Sequence, residues 1–441
     1  LYVRDADSGA FWSATPAPAR APTACEVRHG RGYTRFRQQL AGVASDLVQF
    51  VPMHDPVKVS VLRLKNLTDR ARQLDVTAYV QWTLGANGED TAAHVVTARD
   101  DVCGALVARN DWRADYVGRI AFADLGGQVG EWTCDRGEFL GAQGHLSAPA
   151  ALRQGVPLSG ACGAGLEPCA ALRATVRLQA GEEREVVFLL GEAADMHSAR
   201  ALVMRYRQAK PEAILDEVRK HWQDIGDAVQ VTTPDRRLDL LVNGWLPYQI
   251  ISCRLHARTA FYQASGAWGF RDQLQDVAAL VLSAPHLVRE HLLRAAGRQF
   301  VEGDVQHWWL PPSGAGVRTR IADDRLWLPY VTAHYVRTTG DGGVLDESVA
   351  FLEGQPLPDD RIDDFATPKA SSESGTLFEH GARAIEASLK TGAHGVPLFG
   401  TGDWNDGMNR VGRHGRGESV WMGWFLIAVI RAFAPIARAR G

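Results

Sequence analysis

The residues best suited to chemistry lie near the end of the chain, where residues 400–409 read GTGDWNDGMN. Two carboxylates, Asp403 and Asp406, stand on either side of Trp404 and Asn405, and glycines bracket the group. A turn built only for its conformation uses Gly, Asn and Asp but seldom a tryptophan among them. An indole can cover the apolar face of a sugar ring, and an apolar wall can keep a carboxyl group protonated as a general acid. The segment therefore favours a carbohydrate site with an acid catalyst.

A second cluster occupies residues 266–276, which read GAWGFRDQLQD. A loop rich in glycine and aromatic residues presents Arg271 and Asp272 at the start of a helix, and Asp276 follows about one turn later. A guanidinium group binds anions with two parallel hydrogen bonds, and carboxylates accept hydrogen bonds from sugar hydroxyls. An ordinary helix start with acidic residues in its first turn and one surface ion pair has the same composition, so the residues alone leave both interpretations open.

A third cluster begins at residues 306–312, which read QHWWLPP. His307, Trp308 and Trp309 are predicted to lie in a loop, where exposed aromatic residues suggest a ligand. Two basic residues and two acidic residues follow closely: Arg318, Arg320, Asp323 and Asp324. They fit either a binding site or an ordinary surface network of ion pairs.

The elements that must position these clusters change in type along the chain. Residues 1–192 carry β signals: apolar residues alternate with polar ones over 74–84, over 57–61 and again over 174–178, and a turn at 179–182 leads into 185–190. Period-two alternation predicts half-buried antiparallel strands, and many short strands separated by turns predict a β-sandwich domain.

Helical patterns follow the β domain. Residues 193–233 predict a linker of two helices separated near Pro211, and residues 234–441 predict an α domain of roughly six helices. An apolar stripe runs along residues 274–281, the segment 283–285 predicts a helix stop and restart, and Ser419 predicts the cap of a last helix.

Composition excludes several functional classes. The formal net charge is −3 and no basic block stands out, so nucleic-acid binding is not predicted. Six cysteines form no CxxC pair, so we expect reduced thiols and no metal site or organic cofactor. The longest apolar run, residues 420–430, is too short to cross a bilayer, and no membrane segment or signal peptide is predicted. The chain also lacks the GxSxG, P-loop, HExxH and GxGxxG motifs.

Taken together and in this order, the three clusters resemble those of glycoside hydrolase family 94, the inverting phosphorylases formerly called glycosyltransferase family 36. That family includes cellobiose and chitobiose phosphorylases and the phosphorylase-like domain of cyclic β-1,2-glucan synthases. The start of the chain is also similar, at residues 2–5 (YVRD), 9–13 (GAFWS) and 29–36 (HGRGYTRF). Residues 402–421 most resemble the β-1,2-glucan branch.

The resemblance implies a fold and a set of roles. The fold would be an N-terminal antiparallel β-sandwich, a helical linker and an (α/α)6 barrel. Asp406, the second Asp of the DWND motif, would be the proton donor, with Asp403 and Trp404 shaping the adjoining sugar subsite. Arg271 and Asp276 match residues on the glycone and phosphate side. The remaining expected substrate-binding residues are Asp272, Trp308, Trp309, Asn405 and, more loosely matched, Arg258.

The implied reaction is phosphorolysis of a β-linked glucan or gluco-oligosaccharide, with inorganic phosphate as co-substrate and no base. The family's phosphate-binding His and its Thr-Gly pair are expected further along the chain than this sequence reaches, and about six helices do not complete a twelve-helix barrel. We therefore expect a barrel truncated at its C-terminus, whose activity alone is an open question. The third cluster also departs from the family, because Leu310 stands where a His is expected.

Other interpretations stay open at this point. An inverting glucan hydrolase would use Asp406 as acid and Asp403, or a carboxylate beyond the chain, as base. A non-catalytic module would bind glucan or control its length within a larger synthase, and a purely structural protein is the third alternative. The resemblance further implies a cytoplasmic location, either free or as a domain of a larger inner-membrane protein, and a homodimer is one expected assembly.

Overall fold

The computed structural model describes residues 1–85, 87–112, 116–128, 130–154, 156–258, 266–358 and 360–441. It divides into two compact units, Leu1–Gln223 and Asp224–Gly441. The domain boundaries predicted at residues 192 and 233 stay predictions.

The first unit is built from antiparallel strands in two sheets. The larger sheet has the order β3-β4-β5-β6-β13-β10-β9-β8, and the smaller has the order β11-β12-β7-β1-β2. The strands are β1 (Tyr2–Asp5), β2 (Phe11–Ser13), β3 (Cys25–Gly30), β4 (Tyr33–Leu40), β5 (Val43–Phe50), β6 (Val57–Asn66), β7 (Arg72–Gln81), β8 (Val96–Arg99), β9 (Leu106–Arg109), β10 (Ile120–Asp124), β11 (Glu131–Asp135), β12 (Pro168–Leu178) and β13 (Glu183–Ala193).

Alternating apolar residues from both sheets fill one core. Leu47 and Leu62 of the larger sheet and Leu74, Val76 and Leu172 of the smaller sheet are fully buried in the same cluster. Successive side chains of a strand point to opposite faces, so this alternation directs one face of each sheet inwards. The predicted sandwich is confirmed, although the strand predicted over 74–84 begins at Arg72 and ends at Gln81.

Three short helices lie between strands of the sandwich in the sequence, and two longer helices follow its last strand. Met196–Gln208 (α4) begins at the cap Asp195, whose side chain accepts the Ser198 N–H, and Pro211–Asp227 (α5) begins with a proline, which suits the first helical turn. These two helices were predicted on either side of Pro211. The short helices are α1 (Gly88–Thr91), α2 (Arg136–Leu140) and α3 (Ala150–Gln154).

A buried arginine of the smaller sheet forms an ion pair within that sheet and a hydrogen bond to the larger one. The Arg72 guanidinium at the start of β7 donates from Nη2 to Asp5 Oδ2 of β1 at 3.1 Å. Its Nη1 donates to the carbonyl oxygen of Ala41, in the turn between β4 and β5, at 2.7 Å. Both charged side chains are buried, so each depends on the other for compensation.

Six helical segments dominate the described part of the second unit. The first runs from Arg236 to His256 and alternates α-helical turns with wider π-helical ones. In chain order the elements are α6 (Arg236–Leu240), a π segment (Leu241–Trp245), α7 (Leu246–Gln249), a π segment (Ile250–His256), α8 (Phe270–Ala278), α9 (Pro285–Ala296), α10 (Trp327–Thr339), α11 (Leu377–Ala387) and α12 (Val420–Ala439).

Helix α10 is central to this arrangement. It contacts α8, α9, α11 and α12, and its Leu328 and Val331 are buried. The predicted stop and restart is confirmed, because α8 ends at Ala278 and α9 begins at Pro285. The fold class is confirmed as an antiparallel β-sandwich followed by a helical domain.

The second unit also contains strands, which the prediction of a continuous helical pattern missed. One sheet has the order β14-β15-β16-β18 and a second pairs β17 with β19. These strands span two to eight residues and lack the sustained alternation of apolar and polar residues that reveals a strand in sequence. Their bounds are Trp268–Gly269 (β14), Gln306–Leu310 (β15), Ala315–Thr319 (β16), Ser348–Glu353 (β17), Asp363–Ala366 (β18) and Lys369–Thr376 (β19).

Helix α12 is longer than the apolar run predicted from the sequence. Ser419 caps it by accepting the Met422 N–H, as predicted, and the helix continues for 20 residues. By length and composition it is the one helix in the described residues that would suffice to cross a membrane, a test that core helices of soluble proteins also pass. The inference that this segment is too short for a bilayer is therefore wrong.

The buried ion pair between Arg72 and Asp5 yields a stability prediction. Asp5→Ala leaves the Arg72 guanidinium buried without its carboxylate, so we expect the free energy of unfolding of the first unit to fall by about 3–5 kcal/mol. Urea denaturation followed by tryptophan fluorescence measures the change. Asp216→Ala is the control, because it breaks an exposed ion pair with Arg219 and should cost at most about 1 kcal/mol. Equal effects of the two changes would contradict the assignment.

Candidate active site

Strand pairing brings the second and third sequence clusters together. Trp268 and Gly269 of β14 pair with Trp309 and Trp308 of β15. Helix α8 starts immediately after β14, so Arg271 lies in its first turn, beside the strand that carries His307.

Backbone contacts bring the first cluster to the same place. Ile321 bridges to Gly400 and Gly402, and the Ala322 N–H donates to the Gly402 carbonyl at 2.8 Å. Gly400 has φ of +65°, and a Cβ there would lie 1.9 Å from the Arg320 carbonyl oxygen. A glycine is therefore required for the DWND segment to approach the residues that precede α10.

Arg271 is the hub at which these segments meet. Its Nη1 donates to Asp323 Oδ1 and to the Asp403 carbonyl, both at 2.7 Å. Its Nη2 donates to Asp406 Oδ1 at 2.5 Å and to the Trp404 carbonyl at 3.3 Å. The side chain is 7% exposed. Within this arrangement the guanidinium positions the DWND segment, while its predicted contact with substrate stays a prediction.

Asp406 is exposed to solvent, whereas its partner Arg271 is buried. Its side chain is 56% exposed although Arg271 holds one of its oxygens. It lies in a short 3-10 turn, Asp406–Met408, whose cap Asn405 accepts the Gly407 N–H at 3.0 Å. A carboxylate fixed at one oxygen and open to solvent at the other can exchange a proton with a ligand.

Two buried carboxylates complete the charge cluster. Asp323 and Asp324 are almost completely buried, and Asp324 Oδ1 lies 3.7 Å from Arg271 Nε. Burial and the neighbouring Asp324 charge raise the pKa of Asp323 to about 6, against the opposing effect of Arg271. The Trp327 Nε1–H also donates to Asp323 Oδ2 at 3.1 Å. The alternative that these acidic residues form a surface ion-pair network is therefore wrong.

His307 supplies a second cation to the cluster. Its Nδ1 lies 2.8 Å from Asp324 Oδ2. Burial by itself lowers the pKa of His307, but the charge and hydrogen bond of Asp324, followed by the charge of Asp406, outweigh it and raise the pKa to about 9. The imidazole is therefore protonated at neutral pH, and Nδ1–H donates to Asp324.

Asp403 anchors the segment rather than facing solvent. It is buried, its Oδ1 accepts the Asn405 N–H at 2.8 Å, and its Oδ2 accepts the Ser419 hydroxyl at 2.7 Å. Ser419 in turn caps α12. Both Asp403 oxygens are thus used within the protein, which ties the DWND segment to the start of the last helix.

Trp404 is the exposed aromatic surface of this segment. Its side chain is 58% exposed, and its Nε1–H donates weakly to Gln275 Oε1 at 3.4 Å. Trp404 and Asp406 therefore present an indole face and a carboxylate to solvent from adjacent positions, as a sugar-binding role requires. Asn405, also predicted to bind substrate, is exposed but uses its side-chain oxygen as the cap of the 3-10 turn.

Three predicted residues lie at the α8 end of the site. Asp272 is exposed in the first turn of α8, and Asp276 is partly buried with Oδ2 at 2.5 Å from Arg254 Nε. Burial raises the pKa of Asp276, with Arg254 opposing. Arg258 has φ of 49°, and its Nε donates to the Gly266 carbonyl at 2.7 Å. The binding roles of these residues stay predictions.

The tryptophan pair lies in a strand, so the predicted loop is wrong here. The two residues alternate across β15: Trp308 is partly exposed and lies 5.8 Å from the Phe365 ring, whereas Trp309 is 1% exposed beneath Arg298. Only one of two consecutive strand residues can face a given side of a sheet. Because Trp309 is buried, its side chain does not face a ligand. Its structural role is to pack in the core.

The arrangement supports proton transfer on a bound saccharide. The exposed Asp406 carboxylate contacts the buried Arg271 guanidinium and lies near the exposed Trp404 indole. The His307 imidazolium balances part of the negative charge. No cluster of metal-ligating residues occurs among the described residues. The connection of His307, Asp323 and Asp324 to Arg271 was not predicted, because it depends on strand pairing between distant segments.

Comparisons with known proteins match both units. The family model described as "Glycosyl hydrolase 94, supersandwich domain" matches residues 1–209, and "Glycosyl hydrolase 94 superfamily, catalytic domain" matches residues 221–441.

The chain is similar to several curated proteins that are longer than it is. The chain is 45% identical to the cyclic β-(1,2)-glucan synthase NdvB of Rhizobium meliloti over 100% of the chain and 16% of that protein. It is 28% identical to the solabiose phosphorylase of Paenibacillus borealis over 99% of the chain and 54% of that enzyme. The 1,2-β-oligoglucan phosphorylase of Listeria innocua is 24% identical over 40% of the chain and 16% of that protein.

Because Arg271 holds the DWND segment through several hydrogen bonds, we expect Arg271→Lys to increase the mobility of that segment. Lysine keeps the charge but cannot reproduce the planar set of donors that holds Asp323, Asp406 and two carbonyls. We expect hydrogen exchange of amides 403–407 to accelerate at least about tenfold, which mass spectrometry of peptides from this region measures. Arg431→Lys, on an exposed face of α12, is the control. Unchanged exchange in Arg271→Lys would show that the segment is held by other contacts.

His307 predicts a pH-dependent contribution to stability. Its pKa is raised from 6.5 to about 9, so the protonated form stabilises the fold fully below about pH 6.5 and this contribution is lost as pH rises through 9. The difference in unfolding free energy between wild type and His307→Gln should therefore be on the order of 3 kcal/mol at pH 6 and shrink towards pH 9.5. Urea titrations across this range measure it.

A matched histidine tests whether the effect is specific. His394 is exposed and contacts Glu418, so His394→Gln should change the unfolding free energy by less than about 1 kcal/mol throughout. A pH-independent difference for His307→Gln would contradict the assigned protonation state.

Proposed function

The chain belongs to the glycosyl hydrolase 94 family, and on this premise we propose that it carries the acid-catalyst half of a glycoside phosphorylase site. The proposed reaction is inverting phosphorolysis of a β-linked glucan, with Asp406 as general acid and inorganic phosphate as nucleophile. The chain spans about half the length of the solabiose phosphorylase that it matches and 16% of NdvB, so the activity is proposed for a protein that contains these two units.

The observation that carries the proposal is the contrast among the acidic residues of the site. Asp403, Asp323 and Asp324 are buried, whereas Asp406 is exposed and held at one oxygen. Asp406 is therefore the carboxyl group of this cluster best placed to reach a glycosidic oxygen, with Trp404 beside it as a platform for the sugar ring.

The proposed step conserves atoms and charge. Asp406 gives its proton to the glycosidic oxygen as the bond from that oxygen to C1 breaks, and the bonding electrons stay on the oxygen. A phosphate oxygen attacks C1 from the opposite face, which yields α-glucose 1-phosphate and a glucan shortened by one unit. The proton of the incoming hydrogen phosphate returns to Asp406.

The ion pair between Arg271 and Asp406 bears on this step. Arg271 Nη2 holds Asp406 Oδ1, so in the proposal the other carboxyl oxygen, Oδ2, carries the proton that passes to the glycosidic oxygen.

The glucan is proposed to be β-1,2-linked. The support is the 45% identity to a protein named cyclic β-(1,2)-glucan synthase, together with the weaker match to a 1,2-β-oligoglucan phosphorylase. The NdvB relationship also supports a second candidate, a glucan-binding or length-controlling module of a larger synthase, and a location in the cytoplasm or on an inner-membrane protein.

A hydrolase that uses Asp403 as its base is disfavoured. That residue is buried and both of its oxygens accept hydrogen bonds from the protein. Its burial and its bonds to Asn405 and Ser419 leave it poorly placed to activate a water molecule, as the base of an inverting hydrolase must.

The proposal predicts the effect of removing the acid. Asp406→Asn keeps the shape of the side chain but cannot donate a proton, so release of glucose 1-phosphate from β-1,2-gluco-oligosaccharides should fall by about 10²–10⁴-fold. The release is measured with and without phosphate, in this chain and in any longer natural polypeptide that contains it. Asp346→Asn is the control, since Asp346 is exposed and contacts Arg440, and it should leave the rate unchanged.

The outcomes separate the candidates. Phosphate-dependent release that is lost in Asp406→Asn supports the phosphorylase. Release of glucose without phosphate would identify a hydrolase. Glucan binding with no turnover in wild type or in Asp406→Asn would identify the binding module.

A further inference from the structure

A second concave site is lined partly by the segments that also build the candidate active site. It is a cavity of about 980 Å³ in the second unit, between the segment 319–325, the end of α11 and the loop 411–416. Buried residues contribute to its lining: Ala322, Ser388, Thr401 and Met422. None of Arg271, Asp323, Asp324 and Asp406 is among the residues that line it.

Most of the charged side chains that line this cavity are cationic. Its lining includes Arg320, Arg325, Lys390, Arg413 and Arg416. Asp304 is the one carboxylate among the described lining residues, and both of its oxygens already accept hydrogen bonds from Arg318 at 2.7 Å. The cavity therefore carries an excess of positive charge in a chain whose formal net charge is −3.

Arg325 is the most unusual of these cations. Its Nε is buried and has no hydrogen-bond partner within the part of the chain that the structure describes. Its guanidinium likewise forms no ion pair there, although Asp304, Asp323 and Asp324 act on it at longer range. A buried guanidinium donor without an acceptor is costly unless a ligand or water supplies one.

The rim residues are held in place by a constrained loop. A Cβ on Gly412 would lie 1.9 Å from the Gly400 carbonyl oxygen, and one on Gly417 would lie 2.5 Å from the Val411 carbonyl oxygen. The Phe399 N–H also donates to the Gly417 carbonyl at 2.7 Å. These contacts hold the backbone of the loop against the body of the unit, and Arg413 and Arg416 line the cavity from this loop.

Several cations around one cavity repel each other, and a bound anion relieves this repulsion. Guanidinium groups match the geometry of phosphate oxygens with paired donors. The buried lining residues form the floor of the cavity, and they combine the Ser388 and Thr401 hydroxyl groups with the apolar side chains of Ala322 and Met422. Such a surface suits a small polar ring. We propose that this cationic cavity is a binding site for a small phosphate-bearing molecule, either inorganic phosphate or a phosphorylated sugar.

Calorimetric titration tests the proposal at low ionic strength, with inorganic phosphate and glucose 6-phosphate as separate probes. The double variant Arg413→Gln/Arg416→Gln removes two rim cations without touching the core. We expect it to weaken binding of at least one probe by about tenfold or more. The matched control Arg431→Gln/Arg438→Gln removes two exposed cations of α12 that do not line the cavity, and its affinity should stay within about twofold of wild type.

Asp406→Asn separates this site from the candidate active site. Probe binding that is unchanged in Asp406→Asn and weakened in Arg413→Gln/Arg416→Gln supports the cavity, whether or not the proposed phosphorolysis is observed. Equal affinity for both probes would show that the phosphate group is sufficient for binding. Tighter binding of glucose 6-phosphate would show that the floor of the cavity contacts the sugar ring. Absence of binding to wild type, or equal weakening in the two double variants, overturns the proposal.

Discussion

The buried guanidinium of Arg271 is the interaction on which the candidate site depends. A buried cation must be compensated by charge and by hydrogen bonds, and here the partners come from segments that are far apart in sequence: Asp323 and Asp324 before α10, and the backbone and Asp406 of the DWND segment. Satisfying one side chain therefore fixes the relative positions of all three sequence clusters.

The acidic residues of the candidate site have different roles because they differ in burial. Asp323 and Asp324 balance Arg271 and His307, and Asp403 links the segment to the cap of α12 through Ser419. Only Asp406 retains exposure together with a charged anchor. The exposed residue can change partners when a ligand arrives, whereas the buried ones cannot do so without leaving an uncompensated charge.

The cationic cavity is lined by sequence neighbours of the residues that build the candidate active site. Arg325 directly follows Asp324, and Thr401 lies two residues before Asp403. Burial lowers the pKa of Arg325, and the charges of Asp304, Asp323 and Asp324 oppose this effect. The two sites therefore depend on the same segments for their positions.

The sequence by itself determined the order of the architecture and the identity of the most reactive segment. Period-two alternation at residues 57–61 and 174–178 predicted strands correctly because each strand has one buried face, and Ser419 and Pro285 marked helix starts through local capping and backbone restrictions. The composition of GTGDWNDGMN singled out an acid beside an indole without any knowledge of neighbours.

Tertiary structure decided which of the predicted residues face a ligand. Strand pairing put Trp308 and Trp309 on opposite faces and buried the latter. The same pairing brought His307 and Asp324 to Arg271, a connection between segments that no local pattern encodes. Local signals report the conformation and polarity of neighbouring residues, whereas burial and charge compensation depend on contacts between residues up to 135 positions apart, as for Arg271 and Asp406.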